Sequence, residues 1–282
     1  MFKQCLVLIL CLHFVSSAPS RNSTNGDATP CLKEFYQVAY DGTYNCTNQF
    51  DFFSNNSTTS FISGKACFLE VAKEECSSSQ YNLLSTKYQD FLDVITKKPK
   101  NESECDNFYY KYNSLKCEPM AYDLNIKDAQ IQRRHLKIND SRVLDVIELC
   151  QRVQTCLKSQ CFSPAENALI SSLCESIKLW NSEFKACEFL IEKESPNLSE
   201  YKCLEGADFY RPSDSAKIMR YGEKKQCTKE IMKDICGEKA VKDFDKYADM
   251  TFEMFVKANA MKMAIGEIMT KNVTMEADSD GA

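Results

Sequence analysis

Glycine and proline are scarce in this chain, 8 and 7 among 282 residues. So few interrupters, with charged and apolar residues interleaved, point to helices, and strand alternation is short and scattered. Histidine is nearly absent, with only His13 and His135. Metal hydrolysis of the H-E-x-x-H kind therefore lacks its ligands, and a Ser-His-Asp arrangement would have to use His135, in the charged stretch "QRRHLKIND". G-x-S-x-G and C-x2-C are missing, as are a nucleotide-binding loop and a basic-aromatic stripe. Adjacent carboxylates such as Glu74 and Glu75 diverge by about 100° on a helix and make no acid-base pair. These absences leave no expected catalytic residue, cofactor or metal.

A long apolar run occurs only at the start. "MFKQCLVLILCLHFVSSAPS" carries Lys3, an apolar stretch from Cys5 to Val15, and small residues at Ser16, Ser17 and Ala18. This reads as a secretory signal over residues 1–17, too short to cross about 30 Å of hydrocarbon as an anchor. No membrane span is expected in the remainder. The whole chain has a formal net charge of -5, and loss of Lys3 with the signal makes it -6. Such a balance argues against nucleic acid or an anionic membrane as partner.

Cysteine, by contrast, is plentiful. Beyond the signal stand Cys31, Cys46, Cys67, Cys76, Cys105, Cys117, Cys150, Cys156, Cys161, Cys174, Cys187, Cys203, Cys227 and Cys236. An even set in an exported chain is expected to form disulfides. N-x-[ST] sequons at Asn22, Asn45, Asn55, Asn56, Asn101, Asn139, Asn197 and Asn272 mark candidate N-glycosylation sites, the overlapping Asn55 and Asn56 not both being filled.

The helical segments carry a repeat. In "KACFLEVAKEEC", Phe68, Val71 and Ala72 share one face, and "QCTKEIMKDIC" returns with the same C-x8-C spacing. Residues nine apart on a helix lie about 13.5 Å along it, so neither pair can bridge to itself, and each cysteine must reach another segment. The tetrad Cys31, Cys46, Cys67, Cys76 parallels Cys187, Cys203, Cys227, Cys236, and Tyr88 parallels Tyr247. If Cys67 pairs with Cys31 or Cys46, Cys227 should pair with Cys187 or Cys203 in the same order. A second echo sets Cys105 and Cys117 opposite Cys174 and Cys187.

The expected fold is mainly α, in disulfide-stapled helical domains forming two related units. The polar stretch "MAYDLNIKDAQIQRRHLKIND" occupies the longest gap between these cysteines and serves as the boundary. The division is a first cysteine-rich helical domain over 28–124, a connector over 125–143, a second domain over 144–270 with a partial repeat at 187–257, and a flexible acidic tail over 271–282. Internal pairing would then involve six cysteines in the first domain and eight in the second.

The signal, "KACFLEVAKEECSSSQYNLLSTKYQDFLDVI" and "CDNFYYKYNSLKCEPM" resemble the secreted, cysteine-rich nematode family called domain of unknown function 19, also grouped as uncharacterised protein family 0376. The resemblance covers Cys31 to about Met120 and, in part, Cys187 to about Met254. It implies an extracellular, disulfide-bonded, repeated scaffold without established activity. Cys31, Cys46, Cys67, Cys76, Cys105 and Cys117 would be bridge formers, and Tyr88 and Phe91 core residues.

Function is accordingly expected to be that of a secreted disulfide-rich glycoprotein, an extracellular interaction or structural module with an extracellular protein partner. The alternative is a carrier of a lipid or other apolar small ligand. It is motivated by Phe244, Tyr247, Ala248, Phe252, Phe255 and Val256 on one helical face and by Met250, Met254, Met261, Met263 and Met269.

Overall fold

A computed structural model describes residues 27–54, 58–99, 105–132 and 136–279, with side chains described through Ala260 and at Lys262. The expected signal peptide lies outside them. Helices and short 3-10 turns make up the regular structure, and no strand occurs among the described residues. Packing separates two units. One holds the described residues up to Leu136 together with Ser141–Ile177, and the other holds Lys137–Asp140 together with Lys178 onward.

The first unit opens with α1 (Thr29–Tyr40), α2 (Thr58–Ser63), α3 (Lys65–Glu75), α4 (Ser78–Thr86) and α5 (Tyr88–Thr96). Pro30 enters α1 in its first turn, where a missing N–H costs nothing, and the Asp27 carboxylate accepts from the Thr29 N–H at 2.9 Å. Ser77 and Gln80 form a reciprocal capping box at the start of α4. Buried stripes on α1, α3 and α5 then converge on an aromatic core. Phe35, Phe52, Phe61 and Phe68 are each 0% exposed, and such a ring contributes about 1.5–3 kcal/mol when fully buried. Phe68 stands at the centre, its ring 4.7 Å from Phe35, 5.4 Å from Phe61 and 5.2 Å from Phe91. Gly64 is required at the α2–α3 junction, because a Cβ there would lie 2.6 Å from the Ser60 carbonyl and 2.8 Å from the Phe52 ring.

Four further helices complete this unit: α6 (Phe108–Ser114), α7 (Cys117–Gln132), α8 (Ser141–Lys158) and α9 (Pro164–Trp180), the last running on into the second unit at Lys178. Helices α7 to α9 surround Met120, Leu124, Val146, Val153, Ile170 and Ile177. Cys117–Cys156 ties α7 to α8, Cys150–Cys174 ties α8 to α9, and Cys105–Cys161 joins the approach to α6 to the turn after α8.

The second unit contains α10 (Glu183–Glu194), α11 (Asp214–Tyr221), α12 (Lys225–Cys236), α13 (Glu238–Val241) and α14 (Phe244–Ser279). Ser182 and Ser213 cap α10 and α11 by accepting N–H bonds from Lys185 and Ala216, each at 3.2 Å. Ile231, Phe244 and Ala248 are fully enclosed, and Phe252 seats against Gly222, where a Cβ would lie 2.7 Å from its ring.

Three sequence expectations need correction. The boundary at 125–143 is not a division of the fold, since α7 runs into it as far as Gln132 and the Cys105–Cys161 and Cys117–Cys156 bridges span it. Its polar composition reflects a half-solvated helix: Asp123 and Lys127 pair on its open side at 2.7 Å while Leu124 and Ile131 are buried. The second echo also fails as a structural equivalence. Cys105 and Cys117 reach the α8 region, whereas Cys174 reaches Cys150 and Cys187 reaches Cys236. Finally, residues 271–279 continue α14, because no proline interrupts the run after Phe244 and Gly266 alone is a weak breaker.

Candidate functional site

The feature most directly dictated by sequence spacing is the pair of stapled helices. Cys31–Cys76 and Cys46–Cys67 anchor the two ends of α3. Cys187–Cys236 and Cys203–Cys227 anchor α12 in the same order. The shorter bridge is nested within the longer, with separations of 21 inside 45 and 24 inside 49 residues. Each bridge contributes about 2–4 kcal/mol by restricting the unfolded chain. Neither C-x8-C motif closes on itself.

The equivalence extends to single hydrogen bonds. Tyr44 and Tyr201, each two residues before a bridged cysteine, donate their hydroxyls to Glu75 at 2.5 Å and to Asp234 at 3.0 Å near the ends of α3 and α12. Asp51 and Asp208 accept from the N–H two residues on, at 3.2 and 3.0 Å. The intervening Phe52 and Phe209 are buried in both copies.

Their interiors differ. Immediately after the first cysteine of each tetrad, Leu32 is replaced by Glu188; six residues before the third, Phe61 is replaced by Tyr221; immediately after the third, Phe68 is replaced by Thr228. All six are buried. The Glu188 carboxylate pairs with Lys185 and accepts from the Tyr221 hydroxyl at 2.9 Å. Burial alone would raise its pKa, but the Lys185 ammonium, with Lys217 and the Tyr221 hydroxyl, holds it below the ordinary carboxylate range. Tyr221 is pushed well above its ordinary value by burial and then by the Glu188 charge. Arg220 donates two bonds of 3.3 Å to Glu192, its guanidinium lies 5.0 Å from the Phe209 ring centre, and its carbonyl accepts from Thr228 Oγ1 at 2.8 Å.

This network is an ionised, internally paired core rather than an open acid-base site. Two surface hollows in the second unit, of about 320 and 380 Å3, are lined by the Leu198–Tyr210 loop and by residues around Phe184 and Tyr247, and touch neither Glu188 nor Arg220. Sequence reading missed the network because Glu188 and Arg220 sit in helices whose charges pass for solvent faces. The usable signal was Glu188 standing in register with Leu32. Lys116 was missed likewise: it is 0% exposed, its ammonium bonds the Ser54 carbonyl at 2.8 Å, and burial pulls its pKa down to about 8 despite Asp51.

Of the sequons, Asn45, Asn139 and Asn197 lie on exposed positions. Asn22, Asn55, Asn56 and Asn101 fall outside the described residues, as does the side chain of Asn272, and His135 also lies outside. Of the apolar face of α14, Phe244, Tyr247 and Ala248 are buried in the second unit, and Phe252, Phe255 and Val256 are half-buried. Among the described residues, no group of three or more His, Cys, Asp or Glu could hold a metal, and no helix is long and apolar enough to cross a membrane.

Helices, nested bridges and a doubled tetrad together define a disulfide-stapled, all-helical protein built on a repeated unit. The chain belongs to the family described as Domain of unknown function (DUF19), which matches it twice in tandem, over residues 19–106 and 105–259. The second match takes in α6–α9 as well as the second tetrad, whereas packing groups these helices, up to Ile177, with the first. No curated protein and no solved structure matches the chain.

Proposed function

We propose that this chain is a secreted, N-glycosylated interaction or structural module of the extracellular space, without catalytic activity. The observation that carries the reading is the pairing of all fourteen cysteines from Cys31 to Cys236 in seven bridges. Bridges in that number suit an oxidising compartment and would not persist among cytosolic reductants. The hydrophobic stretch before Ser17 suits export, and the family resemblance points to a nematode setting. Staples supply stability from within, so exposed side chains are free to vary and to be read by a protein partner. Net negative charge disfavours nucleic acid and anionic membrane. A carrier role is the weaker reading, because Phe244, Tyr247 and Ala248 pack into the core instead of walling a groove.

Crosslinking mass spectrometry on the glycosylated protein in its native extracellular fluid tests the proposal. Crosslinks to an extracellular protein or to a second copy are expected. Intramolecular crosslinks alone, with a lipid retained in native mass spectrometry, would replace it with the carrier reading.

A further inference from the structure

The sequon Asn45-Cys46-Thr47 is built into the first staple. Asn45 itself is exposed on the folded surface. Thr47, which a glycosylating enzyme must read two residues on, is 5% exposed. Its hydroxyl donates to the Tyr44 carbonyl at 2.7 Å, and its N–H donates to the same carbonyl at 3.0 Å within a 3-10 turn. Cys46, between them, is bridged to Cys67 at a Cα separation of 5.7 Å. The second copy carries Leu204 in place of Thr47, also 5% exposed, so this position is a core seat of the scaffold in both copies. The sequons at Asn139 and Asn197 are different, with both acceptor asparagines and both hydroxyl residues, Ser141 and Ser199, exposed and no cysteine between them.

We infer that Asn45 is a folding-coupled glycosylation site, open to modification only until the Cys46–Cys67 bridge closes, whereas Asn139 and Asn197 remain acceptors in the folded chain. The inference rests on the extracellular reading above. Two reactions compete for one segment. In the first, the Asn45 side-chain nitrogen attacks the anomeric carbon of a lipid-pyrophosphate-linked oligosaccharide; the N–C bond forms, the C–O bond to phosphate breaks, the amide proton passes to a base and the lipid pyrophosphate leaves. In the second, the Cys46 and Cys67 thiols exchange with the disulfide of a thiol oxidoreductase, passing two electrons and two protons to it as it leaves reduced. Bridge closure draws Thr47 into its seat and hides the hydroxyl. The finished glycan fits the fold, but the unmodified folded segment does not fit the enzyme.

The test is peptide-level glycan occupancy at Asn45, Asn139 and Asn197 in the full chain expressed in secretory cells, read from whole-cell lysates so that retained protein is counted. Cys67→Ser leaves the sequon untouched and the bridge unable to form. It should raise Asn45 occupancy above the wild-type level while leaving the other two sites at wild-type occupancy. Cys31→Ser removes the other staple of α3 but lets Cys46–Cys67 close, and should leave Asn45 at the wild-type level. Equal Asn45 occupancy in wild type and Cys67→Ser, or a rise shared by Cys31→Ser or by all three sites, overturns the inference. Absence of glycan from every site in every variant would instead sink the extracellular reading.

Discussion

The two cysteine tetrads hold one scaffold around two different interiors. In the first copy Leu32, Phe61 and Phe68 belong to a continuous aromatic and aliphatic cluster. In the second, Glu188, Tyr221 and Thr228 occupy those positions in an ionic and hydrogen-bonded cluster with Lys185, Arg220 and Glu192. Nested bridges, the tyrosine-to-carboxylate bond and the Asp turn survive the exchange. The lesson is about where constraint lies. Staples fix the positions of α3 and α12, and a position held that firmly accepts either apolar packing or a buried charge, provided the charge finds a counter-charge, as Glu188 does in Lys185 and Arg220 does in Glu192.

The largest test of this contrast is Phe68→Ala. Removing the ring at the centre of the first core should cost about 3–5 kcal/mol, measured by denaturant unfolding followed by tyrosine signals. Its counterpart change in the second copy, Thr228→Ala, removes one hydrogen bond and should cost about 1 kcal/mol. Equal costs would mean that the interiors do not differ as described. Next in size, Glu188→Gln leaves Lys185 without its counter-charge and should cost about 3 kcal/mol. Installing the first copy's residues together, as Lys185→Thr, Glu188→Leu and Tyr221→Phe, should recover most of that loss. Trp180 is the single tryptophan and lies in the second unit, so its fluorescence reports on this unit.

A pH titration separates the units further. Lys116, in the first, has a folded pKa of about 8 against an ordinary 10.5. Below pH 8 both states hold the proton, and the burial penalty is fully present. Between about 8 and 10.5 the folded state releases it while the unfolded chain keeps it, so stability rises with pH and then levels. Lys116→Met should abolish the rise. The wild-type rise should be seen by tyrosine signals, nine of whose thirteen side chains belong to the first unit, and not by Trp180 fluorescence; a rise of equal size at Trp180 would contradict the assignment.

Much of the scaffold was legible because its signals are periodic. The C-x8-C spacing with a helical stripe between its cysteines excluded self-pairing, and the parallel drift of the tetrads gave the shared order of bridges. Tyr88 and Phe91 are core residues, as the resemblance implied. What escaped was set by tertiary environment. The polarity of 125–143 looked like a linker because one open face of α7 dominates its composition, and its two crossing bridges depend on a bundle that local periodicity does not reveal. Glu188 and Lys116 look like any surface charge until the packing around them is known. The side chain of Thr47 is unremarkable in "NCTN", and its burial beside the Cys46–Cys67 bridge is visible only in the folded chain.

The central claim, one scaffold anchored twice in the same way, is tested most directly by a non-reducing peptide map of the intact protein. The account predicts Cys31 linked to Cys76 and Cys46 to Cys67, matched by Cys187 linked to Cys236 and Cys203 to Cys227. A bridge joining the two tetrads, a bridge within either C-x8-C motif, or a nested order in one copy with a crossed order in the other would contradict it.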